Sequence, residues 1–230
     1  MSDIIAPTKP AAAESASASS VATVALMDQL AAPSIRAESP LFHADLATVA
    51  KQGPKTGGVT LQEHKLLGHL VIRGSQDNAA FLAGARAVLG VDLPTQPLTS
   101  AEAGTLSVRW IAPDEWLVIL PGLEAFELEN RLREAMSGHI AIVNVSGGQT
   151  VLELSGADAR AVLKKSTPYD VHDRNFPVGK VVTTVFAKSQ AVIRRTGEQS
   201  WELVIRRSFA DYLWLWLQDA CAEFGLVVKD

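Results

Sequence analysis

Cysteine is almost missing from this chain: Cys221 is the single one among 230 residues. That excludes an internal disulfide and any zinc cluster built on several thiolates. Charge of one sign is scarce as well, with 21 Lys and Arg against 25 Asp and Glu and a net charge of −4. The strong basic field that nucleic acid or an anionic membrane surface requires is therefore absent. No apolar run approaches the ~18–20 residues of a membrane span. The start, Met1-Ser-Asp-Ile-Ile-Ala-Pro7, lacks the basic stretch that opens a secretory signal. Nucleotide motifs are missing too. There is no Walker A sequence, and Gly147-Gly148 has no third glycine before a helix, so no Gly-x-Gly-x-x-Gly turn exists to bring backbone against a pyrophosphate. The five histidines, at 43, 64, 69, 139 and 172, form no His-x-x-x-His or His-Glu-x-x-His pair.

What is present is the composition of a folded chain: 47% hydrophobic and 20% charged residues, at a length that buries a sizeable core without staples. The beginning differs from the rest. Residues 11–20 are an Ala/Ser tract with one charge, Glu14, and bury too little apolar surface to offset their ordering entropy. Residues 21–30 fit a short helix ended by Pro33. Residues 1–37 are read as a mobile tail, and the protein as cytoplasmic.

Beyond the tail the chain repeats itself. His69-Leu-Val-Ile-Arg-Gly74 runs into a helical stretch, and so does Val151-Leu-Glu-Leu-Ser-Gly156. Further on, Asp114-Glu-Trp116-Leu-Val-Ile-Leu and Gln199-Ser-Trp201-Glu-Leu-Val-Ile each read as a strand followed by a helix. The glycines are offset by 156 − 74 = 82 and the tryptophans by 201 − 116 = 85, so two independent landmarks agree. Strands are expected at 106–111, 116–120, 151–154, 181–186, 191–194 and 201–205, and the turns at Pro113-Asp-Glu and Thr196-Gly-Glu-Gln predict antiparallel hairpins. The expected fold is α+β: duplicated β-α-β-β-α units, 38–140 and 141–230, with antiparallel sheets and helices on one face.

The helix from Leu123 to Met136 has one apolar stripe, Ala125, Leu128, Leu132, Ala135 and Met136, with Glu124, Glu127, Arg131 and Arg133 outside it. The last helix opens on Ser208-Phe-Ala-Asp211, which resembles a capping box. Its core stripe reads Phe209, Leu213, Trp216, Leu217, Ala220 and Phe224, and Tyr212, Trp214 and Leu215 fall off that stripe. A helix apolar on both sides is either buried within its own chain or covered by a partner. Tyr212, Trp214 and Leu215 are accordingly the candidate partner interface. Elsewhere chemistry is thin. His172-Asp173 is either an oriented base or part of a loop bounded by Pro177 and Gly179. Arg194-Arg195 and Arg206-Arg207 each split across a sheet, either as solvated strand ends or as a patch for a carboxylate. Glu63, Asp77 and Asp158 are single carboxylates, Gly74 and Gly156 are backbone turns, and Cys221 reads as a small core residue. No catalytic or metal residue is assigned, and no cofactor-binding residue can be named.

The ordered landmarks resemble a known family. They are Ser39-Pro-Leu41, Gly58-Val-Thr-Leu-Gln-Glu63, Trp110-Ile-Ala-Pro-Asp-Glu-Trp-Leu-Val-Ile119, Ser155-Gly-Ala-Asp-Ala-Arg-Ala-Val-Leu163, Phe176-Pro-Val-Gly179 and Trp201-Glu-Leu-Val-Ile-Arg-Arg-Ser-Phe-Ala-Asp-Tyr-Leu-Trp-Leu-Trp-Leu217. From Ser39 onward the chain is similar to gamma subunits of heterotetrameric sarcosine oxidase. The resemblance implies an aminomethyltransferase-like fold and an accessory role beside alpha, beta and delta subunits. It implies that FAD, FMN and NAD belong to alpha and beta and zinc to delta, with none bound by this chain alone. It implies a complex that oxidises sarcosine to glycine, passes the one-carbon unit to tetrahydrofolate or releases formaldehyde, and makes hydrogen peroxide. The alternatives are a free-standing folate-binding protein and a homo-oligomeric binding module. No residue here matches the acidic position that aminomethyltransferases use near the pterin.

Overall fold

The computed structural model describes residues 35–230. The tail expected at 1–37, with its short helix at 21–30, lies outside the described residues but for its last three. A leading segment holding α1 (Leu46–Gln52) runs into β1 (Val59–His64). The remainder is one pattern traversed twice. The first copy is β2 (Leu67–Arg73), α2 (Ala79–Leu89), β3 (Ser100–Ala103), β4 (Leu106–Ala112), β5 (Glu115–Pro121), α3 (Ala125–Ala135) and β6 (Ala141–Asn144). The second is β7 (Gln149–Ser155), α4 (Ala159–Ser166), β8 (Val181–Phe186), β9 (Ser189–Gly197), β10 (Ser200–Arg206), α5 (Ala210–Cys221) and β11 (Leu226–Lys229). The unit is therefore β-α-β-β-β-α-β, longer than the expected unit by a strand in the middle and a strand at the end.

The first sheet runs β3-β4-β5-β2-β6 and the second β8-β9-β10-β7-β1-β11. Matched strand for strand, the two orders are the same except that β1 is wedged between β7 and β11. β1 is antiparallel to β7 and parallel to β11. The other ladders are antiparallel, as the hairpin turns predict.

The expected division after residue 140 does not follow the sheets, because β1 and the segment before it belong with the second copy. Leu41, Leu46, Val59 and Leu61 are buried in the second core. Alternation places Val59, Leu61 and Glu63 on one face of β1. Glu63 is 3% exposed, and its two oxygens accept from Ser39 Oγ and Thr150 Oγ1, each at 2.9 Å. A buried carboxylate requires such donors, so Glu63 pins the incoming segment to the second sheet.

Four layers result. α2 and α3 cover the outer face of the first sheet around Trp116, Val118 and Leu120. α1, α4 and α5 cover the outer face of the second around Leu152, Leu154, Trp201 and Leu203. The inner faces meet through Leu117, Ile119, Val151 and Val204. Along β5 and β10 successive residues alternate between these cores, as the pleat demands. In α3 the expected stripe holds at Ala125, Leu128, Leu132 and Met136, but Ala135 is exposed. Arg133, expected outside, is half-buried and donates to Glu129 Oε1 at 2.7 Å and to the Ile142 carbonyl at 2.8 Å.

Candidate functional site

Charged side chains stand at mid-strand on the inner faces of both sheets. Arg109 of β4, 1% exposed, is ion-paired with Glu202 of β10. Glu202 lies 3.8 Å from Arg194 of β9. Arg194 reaches back to the first sheet, to Glu102 at 2.6 Å and Ser100 Oγ at 3.0 Å. Burial pushes Arg109 down to about 10 against the pull of Glu202, so it stays cationic at neutral pH. His69 of β2 is fully buried, and burial, followed by the charge of Arg109, pushes it down to about 4. Its ring is therefore neutral, with Nδ1 3.2 Å from the Leu67 carbonyl. These charges tie sheet to sheet. The sequence did carry a signal for them: Val108-Arg109-Trp110 and Trp201-Glu202-Leu203 each set one charge inside an apolar strand.

Each copy also opens a cleft at one end, where the turn after its first strand meets the hairpin between its third and fourth. The cleft in the first copy, about 710 Å³, is lined by Arg73, 74–77, Pro113 and Asp114. The one in the second, about 650 Å³, is lined by Gly156, Arg160, Asp173, Arg195, Glu198 and Trp201 among others. Here Arg195, 5% exposed, donates to the carbonyls of Phe176, Gly197 and Glu198 at 2.8, 2.9 and 2.7 Å and lies 2.7 Å from Asp173. Arg160 holds the same carboxylate with both terminal nitrogens. The two guanidiniums stand 5.7 and 5.5 Å from the Trp201 ring centre, a cation–π arrangement. The hydrogen bond from Arg160, then the charges of both arginines, hold Asp173 below its ordinary range. Gly156 makes the turn possible: its φ is +116° and a Cβ there would meet the Gly58 carbonyl oxygen at 2.4 Å.

Arg194 and Arg195 do split across the sheet, one toward the other sheet and one toward the cleft. Arg206 and Arg207 are exposed. His172 and Asp173 do not form an oriented base, because Asp173 is taken by arginines and His172 Nδ1 accepts from the Arg174 amide at 3.2 Å. The loop alternative holds there.

On α5, Leu215 is 58% exposed and Tyr212 is half-buried, but Trp214 is 6% exposed and belongs to the second core. For Trp214 the internal alternative replaces the expected partner interface. The helix begins at Ala210, so its buried face is Ala210, Leu213, Trp214, Leu217, Ala220 and Cys221. Phe209 stays 38% exposed in the preceding 3-10 turn, and Trp216 is half-buried with Nε1 donating to Ser166 Oγ at 3.0 Å. The capping box does not form: no side chain caps α5, and Asp211 pairs with His43 at 2.8 Å instead. Burial pushes the Cys221 thiol up to about 11, which suits a core residue and not a nucleophile. Among the described residues no three His, Cys, Asp or Glu come together to hold a metal ion.

The family described as "Sarcosine oxidase, gamma subunit family" matches residues 73–223. Sarcosine oxidase subunit gamma from Corynebacterium sp. (strain P-1) is 38% identical over 190 residues, 81% of this chain and 91% of that one. The Arthrobacter sp. subunit gamma has the same identity and coverage. Heterotetrameric sarcosine oxidase from Corynebacterium sp. U-96, solved in complex with pyrrole 2-carboxylate, contains a chain that superposes with a TM-score of 0.74. It is 31% identical and covers 84% of this chain and 98% of that one. Glycine cleavage system aminomethyltransferase T from Bartonella henselae shares the fold at a TM-score of 0.58 and 14% identity, over 79% of this chain and 50% of that one. Matched in sequence and in fold over most of its length, the chain belongs to the sarcosine oxidase gamma subunit family.

Proposed function

We propose that this chain is an accessory subunit of a heterotetrameric sarcosine oxidase and carries no active site of its own. The complex oxidises sarcosine to glycine, passes the one-carbon unit to tetrahydrofolate or releases formaldehyde, and makes hydrogen peroxide. FAD, FMN, NAD and zinc reside in the alpha, beta and delta subunits, in the cytoplasm. The observation that carries the accessory reading is the use to which the paired charges, two buried and one exposed, are put. Glu63 holds the leading segment, Glu202 and Arg109 hold sheet to sheet, and Asp173 is held by two arginines. Catalytic acids and bases need an unspent lone pair or proton facing substrate, and these groups are spent on one another. Nor do the residues here fit the cofactors: each strand-to-helix turn has one glycine, Gly74 or Gly156, where a dinucleotide needs three. The partner face includes Leu215 and Tyr212 on α5, with Trp214 behind them as support.

Affinity purification of the tagged full chain from its own host grown on sarcosine tests this reading. Two larger chains binding flavin and NAD and a small zinc-binding chain are expected to come with it. Recovery of the tagged chain alone would overturn the reading.

A further inference from the structure

The two sheets end on β3 and β6 and on β8 and β11. An edge strand shows unpaired backbone groups, and proteins blunt such edges with charge or cover. Three of these four are blunted. β3 carries Glu102, the Ile142 carbonyl of β6 accepts from Arg133 at 2.8 Å, and β11 ends on Lys229. β8, Val181-Val-Thr-Thr-Val-Phe186, has no charge, and Val185 is 49% exposed. The two ends of β8 fix which way its backbone groups turn. Val181 N–H donates away from β9, to the Leu98 carbonyl at 2.9 Å, and so does Ala187 N–H, to the Ser166 carbonyl at 2.6 Å. Alternate residues of an antiparallel strand turn the same way, so Thr183 and Val185 between them also turn N–H and C=O away from β9. Among the described residues these groups have no backbone partner.

The same edge borders a groove. Thr183 stands opposite Val192 in the ladder, so both side chains lie on the inner face. There Thr183, Ile111, Val192 and Val204 line a groove of about 300 Å³, with Glu115 and Arg206 among its polar groups. We propose that β8 is a docking edge: a short extended segment of a partner subunit adds to it as a further strand, through the main chain of Thr183 and Val185. The partner residue opposite Thr183 then puts its side chain on the inner face, at the mouth of the groove, where an aliphatic side chain fits the walls. In strand addition the main-chain bonds give affinity and such a groove gives selectivity. Leu98 and Ser166 bracket the open stretch, so the added segment is short. A second copy of β8, paired antiparallel about Thr184, would bring its Ala187 against Val181, where Leu98 already lies. The occupant is therefore a different chain, uncharged at the paired positions as β8 is. This deepens the accessory reading and rests on it, since it needs a partner subunit.

The test compares the full chain alone with the assembly purified on its tag from its own host, by hydrogen exchange read at single amides. The Thr183 and Val185 amides are expected to exchange at least about tenfold more slowly in the assembly, while those of Val182 and Thr184, which face β9, change little. Val185→Pro removes an outward N–H without touching the bonds to β9, a change that edge strands tolerate. It is expected to lower the recovered partner subunits about tenfold, the equivalent of one hydrogen bond. Its urea midpoint reports folding. Val185→Lys charges the exposed side chain and carries the same expectation should the proline variant fold poorly. Equal exchange at Thr183 and Val185 in the two samples, or full recovery with both variants, overturns this proposal and leaves the accessory reading standing. Protection that appears in the isolated chain as its concentration rises assigns the edge to a second copy and overturns it as well. Wild type recovered without any other chain overturns both readings.

Discussion

At His69 the ring sits fully buried, and burial together with Arg109 holds it neutral down to about pH 4. The unfolded chain takes up a proton on this histidine near its ordinary value of about 6.5. Between the two values the unfolded state binds the extra proton, so stability falls as pH falls from about 6.5 to 4 and this contribution is gone below that. A shift of this size corresponds to about 3 kcal/mol over the whole window. His69→Leu removes the titrating group at similar volume. Urea midpoints at pH 7, 5.5 and 4.5 are expected to drop less steeply for the variant than for wild type. Equal slopes would mean that the carboxylates alone set the acid limit. The sequence gives no hint of this behaviour, because a histidine at the start of an apolar strand reads the same whether an arginine from another strand faces it or not.

The last helix shows how a shift of a few residues in the start of an element changes which side chains it hides. Starting α5 at Ala210 turns Trp214 and Cys221 inward and leaves Phe209 and Leu215 outside. The structure departs from the stripe counted from Phe209 by a fraction of a turn, because the capping box expected at the start is not made and Asp211 binds His43 instead. Two substitutions one residue apart therefore have opposite consequences. Trp214→Ala opens a cavity in the second core and is expected to cost about 3–5 kcal/mol, read as a lower urea midpoint. Leu215→Glu changes an exposed side chain and is expected to stay within about 0.5 kcal/mol, while reducing the partner subunits recovered with the tagged chain. Loss of stability in the second variant would move Leu215 into the core. The strands divide in the same way. Those with strong β-branched or aromatic runs, β4, β5, β7 to β10, are legible in the sequence. β3, with the sequence Ser-Ala-Glu-Ala, carries almost no apolar signal. β1 alternates Val59, Leu61 and then Glu63 inward, and the buried carboxylate hides the pattern.

At the scale of the whole chain, the duplication is legible because each copy keeps its glycine turn and its buried tryptophan, whereas the joining of the copies is not. β1 enters the second sheet from the first half of the sequence by pairings that run from residue 60 to residue 155 and from 59 to 226, and no local pattern records such distances. The inner faces are joined by a modest apolar cluster around Leu117, Ile119, Val151 and Val204 and by the Arg109–Glu202 pair beside it. With so few apolar contacts between the sheets, the charge pair has a large share in holding them in register. Removing one partner leaves the other buried and uncompensated, a change that typically costs about 3–5 kcal/mol. Glu202→Gln should therefore lower the urea midpoint strongly, since Arg109 at 1% exposure cannot turn to water. Arg109→Met combined with Glu202→Gln removes the stranded charge and should restore a large part of the loss, because a buried ion pair replaced by uncharged groups is often close to neutral. If the double variant instead lost the sum of the two single losses, the pair would not be coupled. The register of the sheets would then rest on the apolar cluster alone.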